Sequence, residues 1–401
     1  MKIRRSEMTP DKLVQIATEN NEPRWFIEKR IRALKIMSEL ELPKMQRFDY
    51  HTWSMTPETT KISIMDHDHS ENYVLLDIFE AARRYPELMQ KYYMNKVIKS
   101  NENKLTAYHT AFLNQGLFLF IPKNTVVDKP IEINLQQDSN IFNSHILIVA
   151  EENTQVSFIQ KSTTEVEQQS SANCIVEIVA KANSIVKYAA VDELGSNVTS
   201  YLSRRAFVDQ NAYVDWSIGL MNSGNTVADF DTDLYGEGSH SEIKVVDITT
   251  GKQQEGVNTR VTNYGKHSIG NINQRGVIMD RSKLIFNGIG HIIHGASGAN
   301  AEQQNRVLMM SNHAHGDANP ILLIDENDVL AGHAASVGQV DQKQLYYLMS
   351  RGIDKKTAQR LVIRGFLGDV LTSIPSKKIR EQLIQTIERK LADGQKLSEN
   401  S

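Results

Sequence analysis

The chain has a single cysteine, Cys174, in 401 residues. That excludes an internal disulfide and any thiolate-rich metal site built within one chain, and it points to a reducing, cytoplasmic compartment. Neither sign of charge dominates. Lys plus Arg number 45 against 48 Asp plus Glu, a formal net charge of −3, which argues against a general nucleic-acid binder, since phosphate contacts need a clear basic excess. No apolar run has the length needed to cross a bilayer, so no membrane association is expected. The start, Met1-Lys-Ile-Arg-Arg-Ser-Glu-Met8, has no apolar segment behind it, and no secretory signal is expected. No Gly-x-x-x-x-Gly-Lys-[Ser/Thr] occurs, so there is no recognisable loop to cradle the phosphates of ATP. The glycines of Gly288-Ile-Gly290-His-Ile-Ile-His-Gly295 have the wrong spacing for a dinucleotide fingerprint.

What remains is an ordinary globular composition, 40% hydrophobic and 23% charged, with enough length for a large core and two or three folding units. Residues 1–116 read as helical. Ile27, Ile31, Leu34 and Met37 line one face before Pro43 ends the pattern. Tyr73 to Met89 resumes an apolar pattern at helical spacing. Asn103 to Gln115 makes another helix, with Gly116 expected as its stop.

Residues 117–340 have a different texture, short alternating runs rich in Val and Ile, as in Ile131-Glu-Ile-Asn-Leu and Ile175-Val-Glu-Ile-Val. Period two is the mark of strands. A degenerate unit recurs within them: a short apolar run, a three-residue polar corner, a small or hydroxyl residue, then a second run. Copies start at Val149, Val179, Phe207, Leu234 and Val277, separated by 30, 28, 27 and 43 residues. A corner returning at nearly constant spacing means that coils stack and share one core. The expected fold is mainly β, a parallel β-helix flanked by helical regions. The 43-residue step hides either a degenerate coil or an insertion.

Residues 341–401 return to helices. Leu345, Leu348 and Met349 share a face and Gly352 stops that helix. Asp354 caps a second, striped by Ala358, Leu361, Val362, Phe366 and Val370. Ser376, after Pro375, caps a third carrying Ile379, Leu383, Ile387 and Leu391. Residues 351–401 hold eleven Lys plus Arg against six Asp plus Glu, either a solvated helix face or a docking surface for an acidic partner.

Several residues could carry chemistry. Asp229, Asp231 and Asp233 fall on one side of a strand, either a solvated face or a calcium ladder in a β-helical carbohydrate-active enzyme. Histidines crowd the end of the strand region at His267, His291, His294, His313, His315 and His333. His291 with His294, or His313 with His315, could offer two imidazoles to a metal, although neither pair has a thiolate or clear acidic companion. His333, in Ala331-Gly-His-Ala-Ala-Ser336, is surrounded by small residues that leave the ring accessible and let another chain approach, although its spacing alone favours a structural histidine. Cys174, in an apolar strand, reads as a small buried hydrophobe.

The block Phe286 to Arg306 resembles the SufB/SufD family of iron–sulfur cluster assembly proteins, as do Gly316 to Val340 and Gln344-Leu-Tyr-Tyr-Leu-Met-Ser-Arg-Gly-Ile353. Asn21-Glu-Pro-Arg-Trp25 and Leu42-Pro43 extend the likeness to nearly the whole chain. It implies a right-handed parallel β-helix between helical regions. The SufB branch carries a cysteine where this chain has Ala331, so the resemblance is to the SufD branch; a SufB-like scaffold that holds a cluster itself is the alternative. The family then implies a non-catalytic subunit pairing with a SufB-like paralogue, with His333 facing that partner's cysteine at the site of a transient iron–sulfur cluster. No cofactor is expected to be held stably by this chain alone, and nothing in the residues speaks for or against flavin. His313 and His315 stand where relatives often carry Lys or Arg, which fits surface cations.

The resemblance also implies an ABC-type ATPase, SufC, docking on helices within Asp341 to Leu371. Leu345, Tyr347, Leu348, Arg351, Gly352, Ile353 and Phe366 are the candidate contacts, with ordinary packing between the helices as the alternative for the apolar ones. ATP-driven closure of two such subunits would open the SufB–SufD interface. A homodimer is expected when the chain is isolated.

Overall fold

The computed structural model describes residues 8–59, 61–65, 70–373 and 377–399. Its core is a parallel β-solenoid in which the chain passes alternately through two sheets. The first sheet has nine strands: Val74–Asp77, Gln115–Ile121, Ile141–Ala150, Ser170–Ala180, Val198–Val208, Thr226–Leu234, Gln254–Asn263, Lys283–Ile292 and His315–Ile324. The second has eight: Ile131–Gln137, Gln155–Thr164, Ile185–Glu193, Tyr213–Leu220, His240–Thr249, Ile269–Ile278, Asn300–Met309 and Leu330–Gln339. All neighbours pair in parallel except Val74–Asp77, which runs antiparallel to Gln115–Ile121. Inward residues of both sheets make one continuous core from Leu75 to Val307.

The recurring corner has a physical basis. Its third residue is left-handed, with φ of +57° at Asn153, +59° at Asn183 and +52° at Asn211. Asparagine tolerates this conformation better than other residues with a Cβ. The side chains also stack. Asn153 Nδ2 donates to Asn124 Oδ1 at 2.9 Å, Asn183 Nδ2 to Asn153 Oδ1 at 3.0 Å, and Asn211 Nδ2 to Asn183 Oδ1 at 3.3 Å. Gly238, His267 and Gly298 hold the equivalent place in later coils, all at positive φ.

This resolves the 43-residue step. Asn263-Tyr-Gly-Lys-His-Ser repeats Leu234-Tyr-Gly-Glu-Gly-Ser after 29 residues, so a whole coil lies between the last two copies. Its left-handed residue is His267, which disguised the corner. The copy at Val277 belongs to the opposite edge, where the Gly251 N–H donates to Asp280 Oδ2 at 2.8 Å.

Helices Pro10–Glu19, Arg24–Ile36 and Lys104–Phe112 form the N-terminal region. Two expectations fail there. Tyr73 to Met89 is not one helix: Asp77 ends a strand and caps the next element by accepting from the Phe79 and Glu80 N–H groups, and Pro86 then starts a separate helix. Gly116 is not a helix stop but lies within a strand, where a Cβ would come 2.3 Å from the His145 carbonyl oxygen. The helix before it, Lys104–Phe112, is capped by Asn103, whose capping box with Thr106 is complete.

Helices Gln342–Ser350, Lys355–Ser373 and Lys377–Glu399 follow the solenoid. Gly352 ends the first at φ +86°, and Asp354 accepts from the Thr357 N–H at 3.1 Å to start the second. Pro375 and Ser376 lie outside the described residues. Ile363, Leu367, Val370, Leu383, Ile387 and Leu391 pack on Val246, Ile248 and Val277 of the second sheet's outer face. Gly219 admits Leu383, whose Cδ1 sits 2.5 Å from where a Cβ would be.

Candidate functional site

The two ends of the solenoid differ. At the start, Val74–Asp77 covers the edge of the first sheet. At the other end His315–Ile324 and Leu330–Gln339 are the outermost strands of their sheets, each paired on one side only. Exposed edges usually carry charge or proline against unwanted pairing. Pro320 serves His315–Ile324 in that way, whereas Leu330-Ala-Gly-His-Ala-Ala-Ser-Val-Gly-Gln339 has neither proline nor a Lys, Arg, Asp or Glu. Leu323, Ile324, Leu330 and Val337 are exposed around it.

His333 stands in the middle of that strand, in register with Gln303 one coil below. Gln303 faces the lumen, so His333 leaves its strand on the same inner side. With no further coil above, the imidazole is exposed. Ala331, Gly332, Ala334 and Ala335 flank it with no polar side chain, and a Cβ on Gly332 would meet nothing within 4 Å. The strand therefore presents one imidazole, a group chemically able to ligate a metal, on an open edge.

The other candidates are placed differently. Arg205 ties the acid ladder together: its Nη2 lies 3.1 Å from Asp229 and its Nε 3.4 Å from Asp231. Arg205 and Arg260 flank Asp231 in register, so the row is an ion-paired, half-buried ladder and not a solvated face. Burial, then the charge of Asp229, raises the Asp231 carboxyl above its ordinary range. His291 Nε2 faces Asp325 at 3.3 Å and His294 Nδ1 faces Glu326 at 3.7 Å. His313 and His315 are exposed. Among the described residues no three His, Cys, Asp or Glu side chains gather as a metal site. Cys174 is buried in the solenoid core, and burial pushes its thiol up.

On the C-terminal helices, Leu345 is only 4% exposed and packs on Val340 and Ala358, with Leu348 and Ile353 partly buried beside it. Leu345 thus holds the helix pair together and is unavailable for docking. Phe366 is partly buried under Arg275, 5.7 Å from its ring. Tyr347 projects, 57% exposed, with the Arg351 guanidinium 5.2 Å from its ring centre. With Leu348 and Leu361 it borders a shallow apolar groove of about 620 Å³.

Comparison with known proteins gives this geometry a context. Residues 44–133 match the SufBD protein N-terminal region, and residues 133–366 match the SufBD core domain of SUF system FeS cluster assembly. The chain belongs to the SufBD family. It is similar to the iron–sulfur cluster assembly protein SufD of Bacillus subtilis, with 39% identity covering 94% of this chain and 97% of that protein. SufBD family proteins of Staphylococcus epidermidis and Staphylococcus aureus are 23% and 24% identical, each over 92% of this chain and 90% of theirs. Among the described residues no helix is long and apolar enough to cross a membrane.

Inward polar groups escaped the sequence reading of this SufBD member. Arg204 is fully buried and binds Asp192 through Nη2 at 2.7 and 2.9 Å, between the rings of Tyr188 and Phe230. Thr259, Gln274, Gln303 and Asn305 form a polar file in the lumen toward the open end. In sequence each looks like an outward strand residue; only strand register distinguishes them.

Proposed function

We propose that this chain is a non-catalytic subunit of the SUF iron–sulfur cluster assembly complex, pairing through its open solenoid end with a SufB-like paralogue and binding a SufC-like ABC ATPase through its C-terminal helices. The observation that carries this is a lone imidazole, His333, on an unguarded edge strand with no thiol beside it. Imidazole ligates iron in clusters of mixed ligation. The chain's single cysteine lies in the core, so a thiolate at this edge has to come from another chain. Pairing the free edge of Leu330–Gln339 with a partner strand satisfies its N–H and C=O groups and brings such a thiolate to His333. The nascent cluster is cargo at this junction and no resident cofactor is assigned.

Tyr347, Arg351 and the groove edge at Leu348 support ATPase docking. Leu345, Gly352 and Ile353 set the angle between the helices that display them, and Phe366 anchors the second helix. An ATPase pulling there acts on elements bolted to the second sheet, the sheet that ends in His333.

His333→Ala, co-purified with the SufB-like and SufC-like subunits, tests this. The variant should fold, retain both partners and lose most cluster formation on anaerobic reconstitution, followed by visible absorption. Wild-type cluster yield would remove His333 from the function.

A further inference from the structure

Gln303 lies directly beneath His333, 2% exposed. Its Nε2 donates to the Ile321 carbonyl at 2.7 Å, which fixes the carboxamide plane, while Oε1 has no partner. Asn305, also buried, leaves Nδ2 and Oδ1 without partners. Gly288 makes room for both side chains, since a Cβ there would lie 2.4 Å from Asn305 Nδ2 and 2.7 Å from Gln303 Oε1. The floor under the imidazole is therefore a polar recess with an immobilised, unused acceptor.

A buried acceptor without a donor loses its hydration with nothing in return, and such groups need an explanation. An imidazole that ligates through one nitrogen keeps an N–H on the other. Metal-ligating histidines place that N–H on a carbonyl or carboxylate, which sets tautomer and ring plane. Adjacent strands are about 4.8 Å apart, a gap that these two side chains span. Ala331 and Ala335, the inward neighbours of His333 on its own strand, offer no side-chain acceptor.

We propose that Gln303 is a positioning residue: its Oε1 accepts the His333 ring N–H and turns the other ring nitrogen outward, toward the partner's side of the junction. This rests on His333 being the ligand proposed above.

Nitrogen-15 NMR of histidine-labelled full-length chain at alkaline pH reads the tautomer without any cluster; His333→Gln identifies the signals. The wild-type ring should show one protonated and one unprotonated nitrogen. Gln303→Met should move both resonances several parts per million toward the averaged values of a free ring. In the assembled complex Gln303→Met should lower cluster yield severalfold. A wild-type ring that already averages overturns the proposal without any variant, as do ring signals unchanged in Gln303→Met. Wild-type cluster yield from His333→Ala is a different failure: it overturns the ligand assignment, and with it any role for the bond in assembly, whatever the NMR shows.

Discussion

At the residue scale, the deciding feature is a charge pair sealed inside the solenoid. Arg204 and Asp192 are an ion pair at 1% and 0% side-chain exposure. Removing one member of such a pair leaves a bare charge in a medium that solvates it poorly, at a cost of about 3–5 kcal/mol, while replacing both with apolar groups is often neutral. Arg204→Met should therefore destabilise the chain by about that amount, and Arg204→Met with Asp192→Leu should recover most of it. Urea denaturation of both checks this; a loss in the single variant no larger than in the double would refute it. The burial of Cys174 was legible from its apolar strand. The Arg204 site was not, because an inward arginine in Tyr201-Leu-Ser-Arg-Arg-Ala206 looks the same as its outward neighbour Arg205 until the pairing places Arg204 beside Phe230.

At the scale of elements, the corner is the unit the sequence announces most clearly, and its left-handed asparagine explains why. Asn183→Ala puts a less tolerant residue at φ +59° and breaks two ladder bonds, so it should cost about 1–2 kcal/mol. Asn183→Gly keeps the conformation and should cost less. Thermal unfolding of the two separates strain from hydrogen bonding. The strand Val74–Asp77 stayed hidden because Tyr-Val-Leu-Leu-Asp-Ile-Phe satisfies both periods; the cap at Asp77 and the vacant edge of Gln115–Ile121 decide between them.

The join between helix and solenoid adds a pH dependence. His109 Nε2 lies 3.0 Å from His145 Nδ1, and His145 Nε2 lies 3.2 Å from Glu177, all fully buried. Glu177 also accepts from the Met94 and Ile98 N–H groups at 2.7 and 3.0 Å. Burial lowers the His145 ring to about 3 and raises the Glu177 carboxyl to about 7. A depressed folded value means that His145 contributes stability which is present above its unfolded value near 6.5 and is lost as pH falls toward about 3. Glu177 works in the opposite sense, since its raised value favours the folded state more as pH falls through about 7 toward 4.5. His145→Gln removes only the first effect. Its melting temperature should rise relative to wild type as the pH is lowered below 6.5, and a constant difference across that window would refute the assignment.

For the whole molecule, the asymmetry of the solenoid ends is what composition and periodicity could not reveal. Both ends are written in the same alternating strands, and only the topology shows that the first sheet starts on the antiparallel Val74–Asp77 while the second finishes on the uncharged Leu330–Gln339. The small residues around His333 were visible; that they form an unguarded edge was not. An edge of this kind seeks a strand. With no SufB-like partner present, a second copy of the chain would supply the same edge, and a two-fold axis would lay the two strands antiparallel. The isolated protein should therefore sediment as a dimer. Leu330→Lys with Val337→Lys puts two ammonium groups on each side of that seam, where they repel across the axis and oppose burial of the edge, and should yield monomers that also bind the SufB-like partner weakly. Tyr347→Ala, on helix Gln342–Ser350, should leave the dimer intact and weaken only ATPase co-purification. Sedimentation equilibrium on the three proteins decides the matter: a wild-type chain monomeric at all concentrations, or a Lys double variant that remains dimeric, would mean that this edge is not the surface through which the chain associates.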